Sequence, residues 1–262
     1  MNNDLLKTAI EASKRAGEIL KQGFGTKFSI KNKEGRHNLV TEFDYKSEQT
    51  IIEFISKEVP NSIFEAEESG NTSSIHKDAI KWIIDPLDGT VNFAHNIPIF
   101  SVSIAALVDE ELAIGVVYQP LLNELFTAER GKGSFLNGDK LQVSNTSKLD
   151  DSILVTGFPY KIGGSFYNGA QLFIDVVHKG IPIRRLGSAA LDLAYVAAGR
   201  FDGFWEEELN PWDVAAGVLL VREAGGLVTK YDLSEFSIYS KSILATNGII
   251  HEESSNFLNK RK

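Results

Sequence analysis

Two short segments of this chain combine acidic residues with turn-forming residues. The first is Asp-Pro-Leu-Asp-Gly-Thr at residues 85–90, directly after an apolar run. The second is Pro-Trp-Asp at residues 211–213, directly before another apolar run. An unpaired carboxylate away from water is energetically costly. Acids at the joints between apolar runs and turns therefore indicate a partner, and a divalent cation is the partner that several converging carboxylates suit best.

In the first segment, Asp85 and Asp88 are expected to leave a strand at the same sheet edge, because the proline between them ends the strand and makes the turn rigid. The carbonyl of Leu87 would lie between the two carboxylates. Gly89 permits a tight backbone, and the residues from Thr90 onward are typical of a first helical turn, whose amides bind anions. The segment thus predicts cation ligands beside an anion site, which suits a metal-bound phosphate.

Each acid also has a purely structural interpretation. Asp85 would serve as a helix cap, Asp88 as a turn residue and Asp213 as the N-cap of the helix that follows it. Glu67 and Glu68 form an acidic pair after a short apolar strand, and paired acids in a loop are usually solvated. The occurrence of all these acids in one chain favours a shared site over separate structural roles.

The elements that must position these acids follow from the spacing of apolar residues. In the first part of the chain the spacing predicts helices at 5–20 and 44–57 and strands at 63–66, 81–84, 102–108, 112–118 and 124–128. Asn-Gly at residues 137 and 138 predicts a hairpin turn. Strands and helices then alternate, with strands at 153–156, 183–185, 201–205, 227–229 and 243–245 and helices at 171–177, 189–197, 213–224 and 251–258. The change in pattern predicts one domain with an N-terminal sub-structure (about 1–150) and a C-terminal sub-structure (about 151–262).

Composition excludes several classes of function. The chain has 262 residues, of which 43% are hydrophobic and 24% charged, as in ordinary globular proteins. Its net charge of -8 argues against broad nucleic-acid binding. There are no cysteines, and the five histidines lack ligand spacing, which excludes disulfides and makes a zinc site improbable. Because neither a signal sequence nor an apolar run of membrane-spanning length is visible, we expect a cytoplasmic protein with no membrane association.

The two acidic segments resemble the two signature motifs of the inositol monophosphatase family, whose members are magnesium-dependent, lithium-sensitive phosphatases. The resemblance implies an α/β (α+β) fold, a layered αβαβα sandwich of the sugar-phosphatase type, and a homodimer. It covers nearly the whole chain, through residues 40–44, 67–69, 82–93, 187–190, 212–226 and 245–247.

By this resemblance the chain would hold two to three magnesium ions. Glu67, the carboxylate of Asp85 and the backbone oxygen of Leu87 match the ligands of one ion. Asp85 would bridge to a second ion, held also by Asp88 and Asp213, and Glu67 would touch a weaker third ion. Magnesium prefers oxygen ligands and needs few carboxylates for each ion. Four such acids without cations would raise one another's pKa.

The resemblance also implies catalytic and substrate-binding residues. Asp44 and Thr90 match the pair that orients the attacking water, with Glu67 as a third catalytic position. Gly187-Ser188 is also an ordinary N-cap signal, and Glu206 begins a run of three acids in a predicted loop. Lys33 and the stretch 31–38 match a mobile loop of the family, although Asn38 stands where many relatives have aspartate. The substrate-binding positions implied are Asp88, Gly89, Thr90, Gly187, Ser188, Ala189, Glu206 and Asp213.

The expected activity is hydrolysis of a phosphate monoester on a small polyol, with inositol 1-phosphate as the leading substrate. Fructose 1,6-bisphosphate, the 2'-phosphate of NADP and 3'-phosphoadenosine 5'-phosphate are the alternatives. The short interval between Glu68 and Asp85 favours the monophosphatase branch. A regulatory role as a partner of the transcription machinery is the alternative of a different class. The intact set of acids argues against a purely non-catalytic role.

Overall fold

The computed structural model describes residues 5–32, 39–71, 79–159 and 166–259. Its α-helices are α1 Leu5–Gly23, α2 Glu42–Glu58, α3 Thr90–Ala94, α4 Phe166–His178, α5 Ala189–Ala197, α6 Pro211–Glu223 and α7 His251–Asn259. Its strands are β1 Ile30–Asn32, β2 Leu39–Thr41, β3 Ser62–Ala66, β4 Gly70–Asn71, β5 Ile80–Asp88, β6 Ser101–Val108, β7 Glu111–Gln119, β8 Glu124–Glu129, β9 Gly133–Leu136, β10 Asp139–Lys140, β11 Leu154–Thr156, β12 Ile183–Arg184, β13 Gly203–Glu207, β14 Leu227–Thr229 and β15 Ser242–Thr246. Within these ranges, none of the helices combines the length and the apolar character needed to span a membrane.

The strands form two large sheets and a small one. An eight-stranded sheet has the order β10-β9-β8-β7-β6-β5-β3-β4, and a five-stranded sheet has the order β12-β11-β13-β15-β14. In the large sheet β3 and β5 are parallel, whereas the other neighbours are antiparallel. β1 and β2 pair separately as a two-stranded ribbon. The hairpin predicted at Asn137 and Gly138 is confirmed, since both have positive φ between β9 and β10.

Helices cover the sheets in five layers. α1 and α2 pack on one face of the eight-stranded sheet, α5 and α6 lie between the two sheets, and α4 and α7 contact the outer face of the five-stranded sheet. This arrangement confirms the predicted αβαβα sandwich. The eight-stranded sheet is buried on both faces: in β5, Trp82 and Ile84 join the core under α1 and α2, and Ile83 joins the core under α5 and α6. Strands covered on both faces read as continuous apolar runs, as residues 82–84 do.

Helix α6 lies close to both neighbours because glycines stand at the points of contact. A Cβ added to Gly217 would lie 2.5 Å from the Cβ of Leu193 in α5. A Cβ added to Gly115 in β7 would lie 2.8 Å from the carbonyl oxygen of Ala216. Neither site can accept a side chain without moving the helix. The first turn of this tightly packed helix carries Asp213.

The prediction that the proline ends the strand before Asp88 is wrong. β5 continues to Asp88, and its pairing with β6 changes register between Asp85, opposite Ser103, and Asp88, opposite Ser101. A bulge at Pro86 and Leu87 absorbs the residue that cannot donate a ladder hydrogen bond. Both carboxylates therefore belong to one buried strand, on either side of the bulge.

Candidate active site

One cavity of about 80 Å³ lies where the ends of β3 and β5 meet the first turns of α3 and α6. It brings together all five predicted metal ligands, which come from three separate parts of the chain. Five of the eight predicted substrate contacts line it: Asp88 and Asp213, which are also predicted metal ligands, and Gly89, Thr90 and Gly187. The complete lining is Leu39, Glu67, Asp85, Leu87, Asp88, Gly89, Thr90, Val91, Gly187 and Asp213.

The parallel pairing of β3 and β5 places Glu67 next to Asp85. Ala66 pairs with Ile84, so each acid follows the last residue of this pairing on its own strand. The amide of Glu67 donates to the carbonyl of Ile84 at 3.2 Å, which extends the ladder by one bond. Two acids that are distant in sequence are thus held at one sheet edge by backbone hydrogen bonds.

The bulge in β5 aims the next groups into the cavity. Asp85 Oδ1 accepts from the amide of Leu87 at 2.9 Å, and both residues are buried. Gly89 then adopts φ +101°, and a Cβ there would lie 3.0 Å from the carbonyl oxygen of Ile99. A side chain at this position would be strained and crowded. Glycine therefore permits α3 to begin immediately at Thr90.

Asp44 and Thr90 form the predicted pair. Thr90 Oγ1 donates to Asp44 Oδ1 at 2.9 Å and lies 3.0 Å from the carbonyl oxygen of Leu87. Asp44 Oδ2 accepts from the amide of Thr41 at 2.8 Å and from its hydroxyl at 2.6 Å, as part of the capping box of α2. Burial raises the pKa of Asp44 to about 6, against the opposite effect of the bonds from Thr41 and Thr90. One oxygen of Asp44 thus caps α2 while the other contacts Thr90.

The remaining acids are each fixed through one carboxylate oxygen. Asp88 Oδ2 accepts from Ser188 Oγ and from the amide of Ala190, both at 2.7 Å, so the start of α5 holds it. Asp213 Oδ2 accepts from the amide of Asn210 at 2.7 Å in a capping box. Asp213 was expected to be the N-cap of α6. It is instead the N3 residue, and Asn210 is the N-cap.

These carboxylates raise one another's pKa. Burial raises the pKa of Asp85 well above its ordinary value, and the carboxylates of Glu67, Asp88 and Asp213 raise it further. Burial likewise raises the pKa of Asp213 well above its usual range, with Asp88 as the next cause. Burial raises the pKa of Asp88 to about 6, although hydrogen bonds from Ser188 and Ala190 oppose the shift. The cavity therefore favours binding of protons or of cations.

The donor set fits magnesium with its waters better than a bare ion. Within the described ranges, no three acidic, histidine or cysteine side chains stand close enough to enclose an ion by themselves. Magnesium, however, keeps several waters and takes one or two carboxylates. Single carboxylate oxygens spread around 80 Å³ leave room for such waters.

The predicted substrate positions Ser188, Ala189 and Glu206 lie outside the cavity lining. Ser188 Oγ is engaged with Asp88 Oδ2, and Ala189 is buried at the start of α5. The loop predicted around Glu206 is wrong, because Glu206 lies in β13, opposite Ile243 of β15. Its side chain is 7% exposed, and burial, helped by the charge of Asp213, raises the pKa of Glu206 to about 8.

Sequence reasoning missed two residues of α2 that touch the same segments. Ser47 Oγ donates to the carbonyl oxygen of Pro86 at 2.8 Å. Glu48 Oε2 accepts from the amide of Glu68 at 2.8 Å. Both residues are buried and polar, three and four positions after Asp44, so they share its helix face. Polar residues at this spacing, within a helix predicted to pack on a sheet, were the signal available.

Asn92 is a third residue that sequence reasoning missed. Its Nδ2 donates to the carbonyl of Ile99 at 2.7 Å and to the carbonyl of Leu186 at 2.8 Å. It therefore ties α3 to the segment before Gly187. The predictions for Lys33 and Asn38 fall outside the described residues.

Known proteins resemble this chain over most of its length. The model of the inositol monophosphatase family matches residues 1–260. The inositol-1-monophosphatase of Synechocystis sp. is 45% identical over 253 residues, which cover 97% of this chain and 88% of that protein. Nus factor SuhB of Escherichia coli K12 is 43% identical over 248 residues, which cover 93% of this chain and 91% of that protein.

Solved structures share the whole fold. The extragenic suppressor protein suhB of Bartonella henselae superposes with a TM-score of 0.93 at 39% identity, covering 99% of this chain and 100% of that one. The inositol monophosphatase of Anabaena sp. superposes with a TM-score of 0.86 at 40% identity, covering 99% of this chain and 96% of that one. The five layers described above are thus common to these proteins and this chain.

Proposed function

This chain belongs to the inositol monophosphatase family, and on that premise we propose that it is a magnesium-dependent phosphatase of a small phosphorylated polyol, with inositol 1-phosphate as its first substrate. Membership of the family makes it a phosphatase. One observation carries the finer proposal: four acids and one backbone carbonyl line a single cavity beside the hydrogen-bonded pair of Asp44 and Thr90.

We assign the metal ligands on the lining of this cavity. Glu67, Asp85, the Leu87 carbonyl, Asp88 and Asp213 would hold the magnesium ions, with waters completing the coordination of each ion. When bound, the ions offset the negative charge of the carboxylates, the phosphate and the leaving oxygen. The raised pKa values of Asp85 and Asp213 support this role, because a cation stabilises the charged form that burial disfavours.

Asp44 and Thr90 are proposed to orient the attacking water. Because Thr90 Oγ1 donates to Asp44 Oδ1, its lone pairs are left to accept a hydrogen bond from a water in the cavity. A pKa of about 6 lets Asp44 remain ionised at neutral pH, yet stay basic enough to accept a proton through Thr90. The amides of Gly89 and Thr90 would hold phosphate oxygens, since the first amides of a helix have no partner within it.

The polyol is proposed to lie toward the start of α5 and the end of β13. Gly187 lines the cavity, and a Cβ added there would lie 3.1 Å from Asn92 Nδ2, so only the backbone can be presented to a ligand. Ser188 and Ala189 would contribute through their backbone. Glu206, with a pKa of about 8, is protonated at neutral pH when alone. A polyol hydroxyl that donates to it would favour its carboxylate form.

A phosphate-release assay tests the activity. Inositol 1-phosphate, NADP, fructose 1,6-bisphosphate and 3'-phosphoadenosine 5'-phosphate are compared, each with magnesium and with excess chelator. We expect release from inositol 1-phosphate with the highest kcat/KM, and loss of release in chelator. A higher kcat/KM for another ester would reassign the substrate, and full activity in chelator would remove the metal mechanism.

The relative named Nus factor SuhB supports a second proposal, that this chain also binds a component of the transcription machinery. Binding of the purified chain to purified RNA polymerase, measured with and without a saturating polyol phosphate, tests it. Binding without any phosphatase activity would make the regulatory role the principal one. No binding at micromolar concentrations would leave the phosphatase proposal alone.

A further inference from the structure

Helix α2 contacts the candidate site through three buried polar residues on one face. Asp44, Ser47 and Glu48 stand at i, i+3 and i+4, which places them side by side. Each bonds to a different segment: Asp44 to Thr90, Ser47 to the carbonyl of the bulge proline, and Glu48 to the amide of Glu68. Glu48 is thus the member of this set that reaches the turn after β3.

That turn carries the proposed ligand Glu67 and is held at two successive amides. The amide of Glu67 donates to the carbonyl of Ile84 at 3.2 Å, and the amide of Glu68 donates to Glu48 Oε2 at 2.8 Å. The second bond is shorter, and its acceptor belongs to a residue that is 4% exposed, so little water competes for the amide of Glu68.

The turn needs such an anchor because its carboxylate lies beside other acids. Glu67 and Asp85 directly follow the paired residues Ala66 and Ile84 on neighbouring strands, so two carboxylates lie at one sheet edge and repel each other before a cation binds. Repulsion would move the turn away from β5 unless its backbone were held. The bond from Glu48 opposes that movement from the α2 side.

We propose that Glu48 is a positioning residue for the magnesium site, acting by holding the Glu67–Glu68 backbone so that the carboxylate of Glu67 stays beside Asp85. The inference rests on the proposed function, because it takes Glu67 and Asp85 as magnesium ligands. Loss of a residue that orients a metal ligand typically weakens metal binding or activity about 10- to 100-fold. A residue that merely stabilised α2 would leave magnesium affinity unchanged.

The test is isothermal titration of magnesium alone into the metal-free protein and its variants. Glu48→Ala removes the acceptor, Glu48→Asp shortens the side chain by one methylene, and Glu48→Gln keeps an acceptor oxygen at the original reach. Glu53→Ala is the matched control: it removes an acid from an exposed position of the same helix, where the carboxylate accepts only from Gln49 at 2.7 Å among the described contacts.

We expect Glu48→Ala and Glu48→Asp to weaken magnesium binding about tenfold or more, and Glu48→Gln to restore affinity to within about threefold of wild type because it keeps the bond to Glu68. Glu53→Ala should match wild type. In phosphate release, the magnesium concentration for half-maximal activity should rise in the first two variants, while the KM for inositol 1-phosphate at saturating magnesium should change by less than about threefold, since the polyol contacts are not altered.

Unchanged magnesium affinity in Glu48→Asp and Glu48→Ala would overturn the proposal. If Glu48→Ala is unfolded by circular dichroism, Glu48→Asp and Glu48→Gln decide, because both retain a polar side chain. A wild-type protein that binds no magnesium would overturn the metal assignment itself. That failure is distinguishable from wild-type binding that survives loss of Glu48, which removes the role of Glu48 alone.

Discussion

Two buried polar clusters of this chain differ in how completely their hydrogen-bonding atoms are used. In the first, which we call the closed network, Asp202 Oδ1 accepts from Ser144 Oγ at 2.5 Å and Oδ2 accepts from the amide of Ile153 at 2.7 Å. Asn247 Nδ2 donates to Ser144 Oγ at 3.0 Å and to the carbonyl of Thr146 at 2.8 Å. Both oxygens of this buried carboxylate are therefore occupied.

His251 lies four residues after Asn247 and also uses both of its hydrogen-bonding atoms, so we include it in the closed network. Its Nε2 lies 2.8 Å from Thr229 Oγ1, and its Nδ1 lies 2.9 Å from Thr246 Oγ1. Thr229 Oγ1 donates to the carbonyl of Lys230 at 2.6 Å, so it accepts from Nε2–H, and Nδ1 accepts from Thr246. Neutral histidine satisfies every partner, and burial lowers the pKa of His251 to about 4.

The carboxylates of the cavity are used only in part. Asp85 and Asp213 each have a protein hydrogen bond at one oxygen, and Asp88 is fixed through Oδ2. Burial raises the pKa values of these three acids, and the charges of neighbouring carboxylates raise them further. Asp202 thus has the complete hydrogen bonding of a structural acid, whereas the cavity acids converge on one another, as the proposed cation site requires.

The variant with the largest expected effect on the difference between the two clusters is Asp85→Asn. Asn keeps an oxygen for the amide of Leu87 but removes the charge, so kcat/KM should fall about 10³-fold. The melting temperature of the metal-free protein should stay equal or rise, because repulsion by Glu67 and Asp88 is relieved. Phosphate release and thermal unfolding measure the two effects. Activity within tenfold of wild type would contradict the assignment.

The closed network should lose stability in acid because it holds His251 in the neutral form. Its folded pKa of about 4 lies below the unfolded value of 6.5, so its contribution is complete above pH 6.5 and is lost as pH falls toward 4. The loss reaches about 3 kcal/mol at pH 4. Urea unfolding of wild type and His251→Gln at pH 7 and pH 4 measures it, with the difference between the two proteins cancelling other groups. Equal pH dependence in both would refute the neutral network.

Within the cavity, loss of the Thr90 hydroxyl should lower kcat and leave KM nearly unchanged. Thr90→Val keeps the shape of the side chain but removes the bond to Asp44 Oδ1. The kcat should fall about 100-fold with little change in KM, as for loss of a proton-transfer partner. Thr90→Ser, which retains the hydroxyl, should lie within about tenfold of wild type. A KM effect without a kcat effect would place Thr90 in binding instead.

The matched change in the closed network is Asp202→Asn. It places an amide NH₂ where an oxygen now accepts from Ile153 or Ser144, so the free energy of unfolding should fall by about 2 kcal/mol. The kcat of the folded protein should equal that of wild type. Chemical unfolding and active-site titration separate the two quantities. A loss of kcat at full folding would show that the two clusters are coupled.

Most of the fold could be predicted, because the eight-stranded sheet is covered on both faces and its strands read as apolar runs. The acids of the cavity drew attention for a related reason, since Asp85 and Asp88 follow such a run, whereas the full set of proposed metal ligands came from the resemblance to the family. Pro86 was misread, because a bulge accommodates the missing donor without ending β5, and register is not visible in sequence. Glu206 was misread, because its acidic neighbours suggested a loop, whereas pairing with β15 buries it.

The supporting residues were the least predictable part of the site. Glu48 and Asn92 act on backbone groups that lie 20 and up to 94 positions away in sequence. Such partners depend on the packing of helices against sheet edges, which local patterns do not contain. Asp44 was found through its motif, while its neighbours on the same helix face were not.

The glycine at position 115 has a consequence beyond packing. Since β7 passes directly beneath the backbone of Ala216, a single methyl group at Gly115 would push α6 along or away from the sheet. Asp213 lies in the first turn of that helix, so its carboxylate would shift with the helix. A substitution in the middle of a strand, remote from any ligand, would thus lower turnover. Screens for inactive variants should recover this substitution together with substitutions of the acids.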